Sequence, residues 1–204
     1  MDKRGYFLKI FQKASRKYAK SQKRLAADGW PYPWQTLITT ILSAQSRDET
    51  TIPIAENLYK KYPTLEELAD ARYEDVLSIF QGLNYNRTKA RHAIAAAKYL
   101  IKEHSAIVPE SVEDLVCIPG VGRKTANLVA CEIYGKEGVC VDTHVHRLSN
   151  VLGLVETKNP HQTEKELRKI APRKYWSRIN RLFVLWGKDV PGYDKKRLLK
   201  WLER

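Results

Sequence analysis

Apolar residues recur at three- and four-residue intervals along almost the whole chain, and no stretch sustains the period-two alternation of a half-buried strand. This pattern predicts an all-α protein. Helices are expected at about 5–26, 33–44, 48–61, 64–70, 73–80, 86–103, 111–117, 122–135, 143–152, 160–171, 175–187 and 193–203. Several starts carry their own chemistry. Asn159, Pro160 and Gln162 read as an N-cap, a first-turn proline and a capping-box partner, and Ser111 with Asp114 forms a weaker cap. Pro53 falls close enough to the start of its helix to cost little there. No repeat, low-complexity tract or long linker marks a domain boundary, although residues 135–138 have the turn content of a hinge.

Charge narrows the partner. The 204 residues carry a formal net charge of +13, distributed along the sequence rather than confined to one tail, which favours a folded protein with a polyanionic ligand such as nucleic acid. No apolar run approaches the roughly 20 residues that span a bilayer, and M-D-K-R-G-Y at the start lacks a signal-peptide core, so an intracellular protein with no membrane partner is expected. Cys117, Cys131 and Cys140 are odd in number and show no C-x-x-C spacing, which suggests neither a disulfide framework nor a zinc site. Free and mostly buried thiols are expected. His144 and His146 flank Val145, but on a helix they face different directions and make a poor shared metal set. His144 is assigned to DNA and His146 to the surface or to packing, with no metal. Trp30, Tyr32 and Trp34 lie in a stiff W-P-Y-P-W segment that either packs or stacks on bases.

Chemistry concentrates in two places. Residues 118–125 read I-P-G-V-G-R-K-T between two short amphipathic runs, and eighteen positions past Lys124 stands Asp142 in C-V-D-T-H. A tight turn through Gly120 and Gly122, leading into a helix N-terminus beside Arg123, offers backbone N–H groups to a phosphate. Such contacts position a duplex without reading its sequence. Lys124 is either a nucleophile, which requires its neutral amine, or a phosphate-binding cation. Asp142 is an N-cap for the helix that follows, and in the same position its carboxylate can stabilise positive charge on a sugar or accept a proton.

These residues resemble the helix-hairpin-helix DNA glycosylase superfamily, in its endonuclease III-like branch. The resemblance extends to L-S-A-Q-S-R-D at 42–48 and G-L-N-Y-N-R-T-K-A at 82–90, so that it covers about residues 30–152 in order. It implies two helical domains with duplex DNA in a cleft between them. One would be a six-helix barrel at 26–136 containing the hairpin at about 111–135; the other would combine 1–25 with 137–204. It implies Lys124 as a Schiff-base nucleophile, Asp142 as the catalytic carboxylate and Gln45 as the residue that fills the space left by a rotated nucleotide. Ser43 and Asp48 would help order the pocket, and Leu83, Asn84 or Tyr85 would be the wedge on the partner strand. The lysine implies a bifunctional glycosylase and abasic-site lyase of base excision repair, acting as a monomer on a damaged or mismatched base, with oxidised pyrimidines as the default substrate. A monofunctional mismatch or alkylated-base glycosylase, and a non-catalytic helix-hairpin-helix DNA-binding protein, are the alternatives.

The chain departs from the family pattern twice. Branch members typically end in four closely spaced cysteines that ligate an iron–sulfur cluster, and no cysteine follows Cys140, so no cluster and no other cofactor is expected. The tail V-P-G-Y-D-K-K-R-L-L-K-W-L-E-R reads instead as an amphipathic helix whose Lys195, Lys196 and Arg197 face either solvent or phosphates. The 82–90 segment is also longer than the usual loop, which leaves the wedge residue open.

Overall fold

A computed structural model of the protein describes residues 2–135 and 138–203, and all regular structure among them is helical. The helices are α1 (Lys3–Tyr18), α2 (Pro33–Ser43), α3 (Asp48–Lys61), α4 (Leu65–Ala69), α5 (Tyr73–Ile79) and α6 (Asn86–His104), followed by α7 (Val112–Leu115), α8 (Arg123–Tyr134), α9 (Thr143–Val151), α10 (Pro160–Ile170), α11 (Trp176–Asp189) and α12 (Lys195–Trp201). A short 3₁₀ turn, Arg173–Tyr175, leads into α11. The caps explain several starts. Asn159 accepts from the Gln162 amide, and Ser111 from that of Asp114. The Gln162 side chain returns to the Lys158 amide rather than to Asn159.

The expected first helix is corrected at both ends: it begins at Lys3 and stops at Tyr18. Beyond it the Asp28 carboxylate accepts from the Leu25 amide while Arg24 Nε donates to the Asp28 carbonyl. Side chains that bond nearby backbone in this way compete with helix continuation. The expectation of mostly buried thiols holds, since Cys131 and Cys140 are buried while Cys117 is exposed just past α7.

The chain divides into two compact units, residues 24–135 and residues 1–23 with 136–204. The first holds seven helical segments, α2 to α8, of which α7 is a single turn. Every residue of α2 from Trp34 to Leu42 is buried, as befits a helix surrounded by others. Two of its three threonines place their hydroxyls in hydrogen bonds. Thr40 Oγ1 donates to the Thr36 carbonyl at 2.6 Å, and Thr39 pairs with the Tyr59 hydroxyl, which also donates to the Gln35 carbonyl. On α6 the buried face is mostly alanine, with Ala90, Ala93, Ala96 and Ala97 letting α2 and α4 approach closely. Gly135 closes α8 in the left-handed conformation, while positions 136 and 137 of the expected hinge lie outside the described residues.

In the other unit α11 packs against α9 and α1 around Phe7, Phe11, Phe183 and Trp186. Arg147 of α9 donates to the Gly187 carbonyl at 2.8 Å and also reaches those of Val190 and Gly192 at the end of α11. A helix C-terminus leaves its last carbonyls without internal partners, and here one guanidinium serves them. Arg147→Ala is expected to lower the unfolding free energy by about 2 kcal/mol, measured by denaturant titration, because charge-assisted bonds at partly buried carbonyls are lost together.

Candidate functional site

The hairpin is anchored from below. Leu115, Ile118, Val121 and Ala126 are buried in the core of the first unit, and the Val121 amide donates to the Ile118 carbonyl at 3.0 Å to close the turn. Gly120 stands at φ +83, and a β-carbon there would lie 2.8 Å from the His92 side chain, so both the backbone and the packing demand glycine. Gly122 is a correction. At φ −86 it has ordinary extended backbone that any residue adopts, and its value lies in the open space beside it. As the N-cap of α8 it offers no side-chain acceptor to the first turn, which leaves that helix end suited to an outside anion. Arg123 and Lys124 occupy the first two positions of α8, and both are exposed.

Asp142 caps α9 in the other unit, its Oδ1 accepting from the Val145 amide at 2.8 Å. The cap expected from sequence is therefore present. Its second carboxylate oxygen makes no hydrogen bond to the described residues. His144 is half-buried against Gly187, where an added β-carbon would lie 2.5 Å from the imidazole Nδ1. His146 Nδ1 pairs with Thr163 Oγ1 at 2.7 Å in a polar network with Asn150 and Thr157, as a packing residue.

The structure joins the two loop segments. Gln45 is exposed at φ +54, and its carbonyl accepts from Asn84 Nδ2 at 2.6 Å. Leu83 is corrected as a wedge, since it is only 5% exposed and packs in the core. Tyr85, at φ +56 and 66% exposed, is the projecting side chain of that segment. Ser43 Oγ donates to the Thr40 carbonyl of its own helix, and Asp48 Oδ1 accepts from the Ala26 amide at 3.2 Å. Trp30 and Trp34 both meet the Tyr59 ring edge-on, so these two pack, while Tyr32 is exposed.

One residue beside these loops escaped the sequence reading. Lys89 lies on the buried face of α6 and its Nζ donates to Ser46 Oγ at 2.8 Å. The signal was available, because Lys89, Ala93, Ala97 and Leu100 fall at helical spacing on one stripe. Burial pushes its pKa down from an ordinary 10.5 to about 8. Below pH 8 both folded and unfolded chains are protonated and the folded state bears the full penalty; between about 8 and 10.5 only the unfolded chain stays protonated, so stability rises. Relative to Lys89→Met, the wild type should gain about 3 kcal/mol between pH 7 and pH 10.5, read by denaturant titration at each pH.

Charge divides unevenly between the units. Residues 1–23 with 136–204 hold 24 of the 36 Lys and Arg and 9 of the 23 Asp and Glu, a net +15; residues 24–135 hold 12 and 14, a net −2. The long-range attraction for a polyanion therefore originates in the unit that carries Asp142. Among the described residues no three His, Cys, Asp or Glu side chains gather as a metal set. Residues 141–204 contain no cysteine, so they do not fit the four-cysteine ligation of an iron–sulfur cluster. No described helix is long and apolar enough to cross a membrane.

An all-helical chain whose proline–glycine turn delivers an arginine and a lysine to an uncapped helix N-terminus belongs to the class of helix-hairpin-helix DNA-binding proteins. Residues 38–173 match the HhH-GPD superfamily of base excision DNA repair proteins, and the chain belongs to that family. It is 40% identical over 158 residues to endonuclease III of Thermotoga maritima, covering 78% of this chain and 74% of that one. To endonuclease III of Bacillus subtilis it is 31% identical over 157 residues, covering 76% and 72%. Its fold superposes on the solved structure of a trapped endonuclease III–DNA covalent intermediate with a TM-score of 0.84 at 28% identity, covering 93% of this chain and 88% of that one. A thermostable thymine-DNA glycosylase shares the fold, with a TM-score of 0.80 at 19% identity over 95% of this chain and 90% of that one.

Proposed function

We infer that this protein is a bifunctional DNA glycosylase and abasic-site lyase of base excision repair, acting as a monomer on damaged or mismatched bases in duplex DNA. The observation that carries the reading is Lys124, exposed in the first turn of the helix that the Gly120 turn presents. Hairpin and helix N-terminus hold a phosphate through backbone groups, with Arg123 adding charge, and the target nucleotide rotates out of the stack. The neutral Lys124 amine attacks C1′ of the deoxyribose, the glycosidic bond breaks, and the base leaves with the bonding pair and takes a proton. The amine then loses its own proton as the sugar ring opens to a Schiff base. Removal of a C2′ proton expels the 3′ phosphate and cuts the strand.

Asp142 supports this chemistry with the carboxylate oxygen that its cap leaves unbonded, stabilising positive charge on the sugar or accepting the lysine proton. Gln45 fills the vacated stack and Tyr85, rather than the buried Leu83, is the wedge on the partner strand. Ser43 and Asp48 order the loop base, and His144, seated against Gly187, lies near the DNA. The reaction as written uses no metal or organic cofactor. Acting on DNA, the protein works inside the cell, in the cytoplasm or nucleoid if the host is a prokaryote.

The test is borohydride trapping on duplexes carrying an oxidised pyrimidine, uracil or a thymine mismatch, oxidised guanine or an abasic site. A covalent adduct is expected, with the oxidised-pyrimidine duplex the most productive base-bearing substrate. Release of free base without any adduct would make the enzyme monofunctional, and salt-sensitive binding without either product would make it a binding protein.

A further inference from the structure

Lys89 is only 5% exposed, and its one hydrogen-bond partner among the described residues is the neutral hydroxyl of Ser46. Methionine would fill similar volume without burying an ammonium, so the lysine weakens the fold where it stands. A side chain that lowers stability in a well-packed core is expected where a functional demand outweighs packing. Here that demand is visible in the adjoining turn. Gln45 stands in the left-handed region, which costs a residue with a β-carbon, and two tethers from the 82–90 segment fix its surroundings. Asn84 holds the Gln45 carbonyl, and Lys89 holds the hydroxyl of the next residue.

We propose that Lys89 is a positioning residue: together with Asn84 it latches the 44–47 turn in the one conformation that presents Gln45 to DNA, and so ties that loop to the segment bearing Tyr85. The proposal rests on the reading of Gln45 as the residue that fills the vacated stack. Without the latch the turn relaxes towards ordinary backbone angles and must be reordered while the nucleotide rotates, which slows the step that requires Gln45. Strand cleavage at an abasic site in single-stranded DNA requires no such insertion and is indifferent to the latch.

The experiment compares Lys89→Met, Ser46→Ala, Gln45→Ala and the Lys89→Met/Gln45→Ala pair, using a duplex with an oxidised pyrimidine and a single-stranded abasic oligonucleotide. Single-turnover base release from the duplex should fall about tenfold in Lys89→Met and in Ser46→Ala, while single-strand cleavage stays within about twofold. The double variant should be no slower than Gln45→Ala, since a residue that acts through Gln45 has nothing left to position. Lys89→Met should also melt at a higher temperature than wild type at pH 7, the opposite of what a merely structural lysine would show. Equal loss on both substrates, or a full additional loss in the double variant, would overturn the latch. Slow Gln45→Ala beside normal Lys89→Met would overturn the latch and leave the Gln45 reading standing; normal Gln45→Ala would overturn both.

Discussion

Lys124→Ala is expected to eliminate the borohydride-trapped adduct and to reduce strand cleavage by at least about a thousandfold, while duplex affinity at fixed salt falls less than about tenfold. The asymmetry follows from where the residue stands. As the second residue of α8 it contributes one of the 36 lysine and arginine charges, and the backbone of the hairpin and Arg123 remain to hold the phosphate. Without an amine at that place no imine forms, and without an imine the C2′ proton lacks the acidity that β-elimination requires. Side-by-side trapping and equilibrium binding measure the two effects. If affinity and cleavage fell by the same factor, Lys124 would be a phosphate contact and the strand-cutting chemistry would need another nucleophile.

Asp142→Asn is expected to slow single-turnover base release by about a hundred- to a thousandfold with little change in stability. The structure makes this substitution discriminating. Oδ1 of Asp142 accepts the Val145 amide, and the side-chain oxygen of asparagine serves as an N-cap equally well. What asparagine removes is the negative charge. Asp142→Ala removes both, and should add a stability loss of about 1 kcal/mol to the kinetic one. Base release at the wild-type rate in Asp142→Asn would leave the residue as a cap alone.

The helices, the caps at Ser111, Asp142 and Asn159, and the hairpin with its lysine were legible in the sequence because each depends on neighbours a few positions away. Periodicity of 3.6 residues places an apolar face, and a cap is decided by the side chain at one position and the amides just after it. The segments quoted for the family resemblance were legible for the same reason, as short runs of fixed spacing. Where long-range packing decides, the local signal misled. Leu83 looked like a wedge beside Asn84 and Tyr85, but the core of the first unit holds it, leaving Tyr85 to project. Gly122 looked like a second turn glycine, yet its backbone is ordinary.

The sequence by itself thus determined an all-helical protein, its proline–glycine hairpin with Arg123 and Lys124, and the Asp142 cap, since hydrophobic spacing, capping and turn residues act over a few positions. Only the tertiary structure decided which charges belong together, because a unit assembled from both ends of the chain gathers a net +15 that no single stretch displays. It also decided that Asn84 and Lys89 reach back 39 and 43 residues to Gln45 and Ser46. Such contacts depend on how α6 packs against the rest of its unit, and burial there pushes the pKa of a lysine below that of a solvated one.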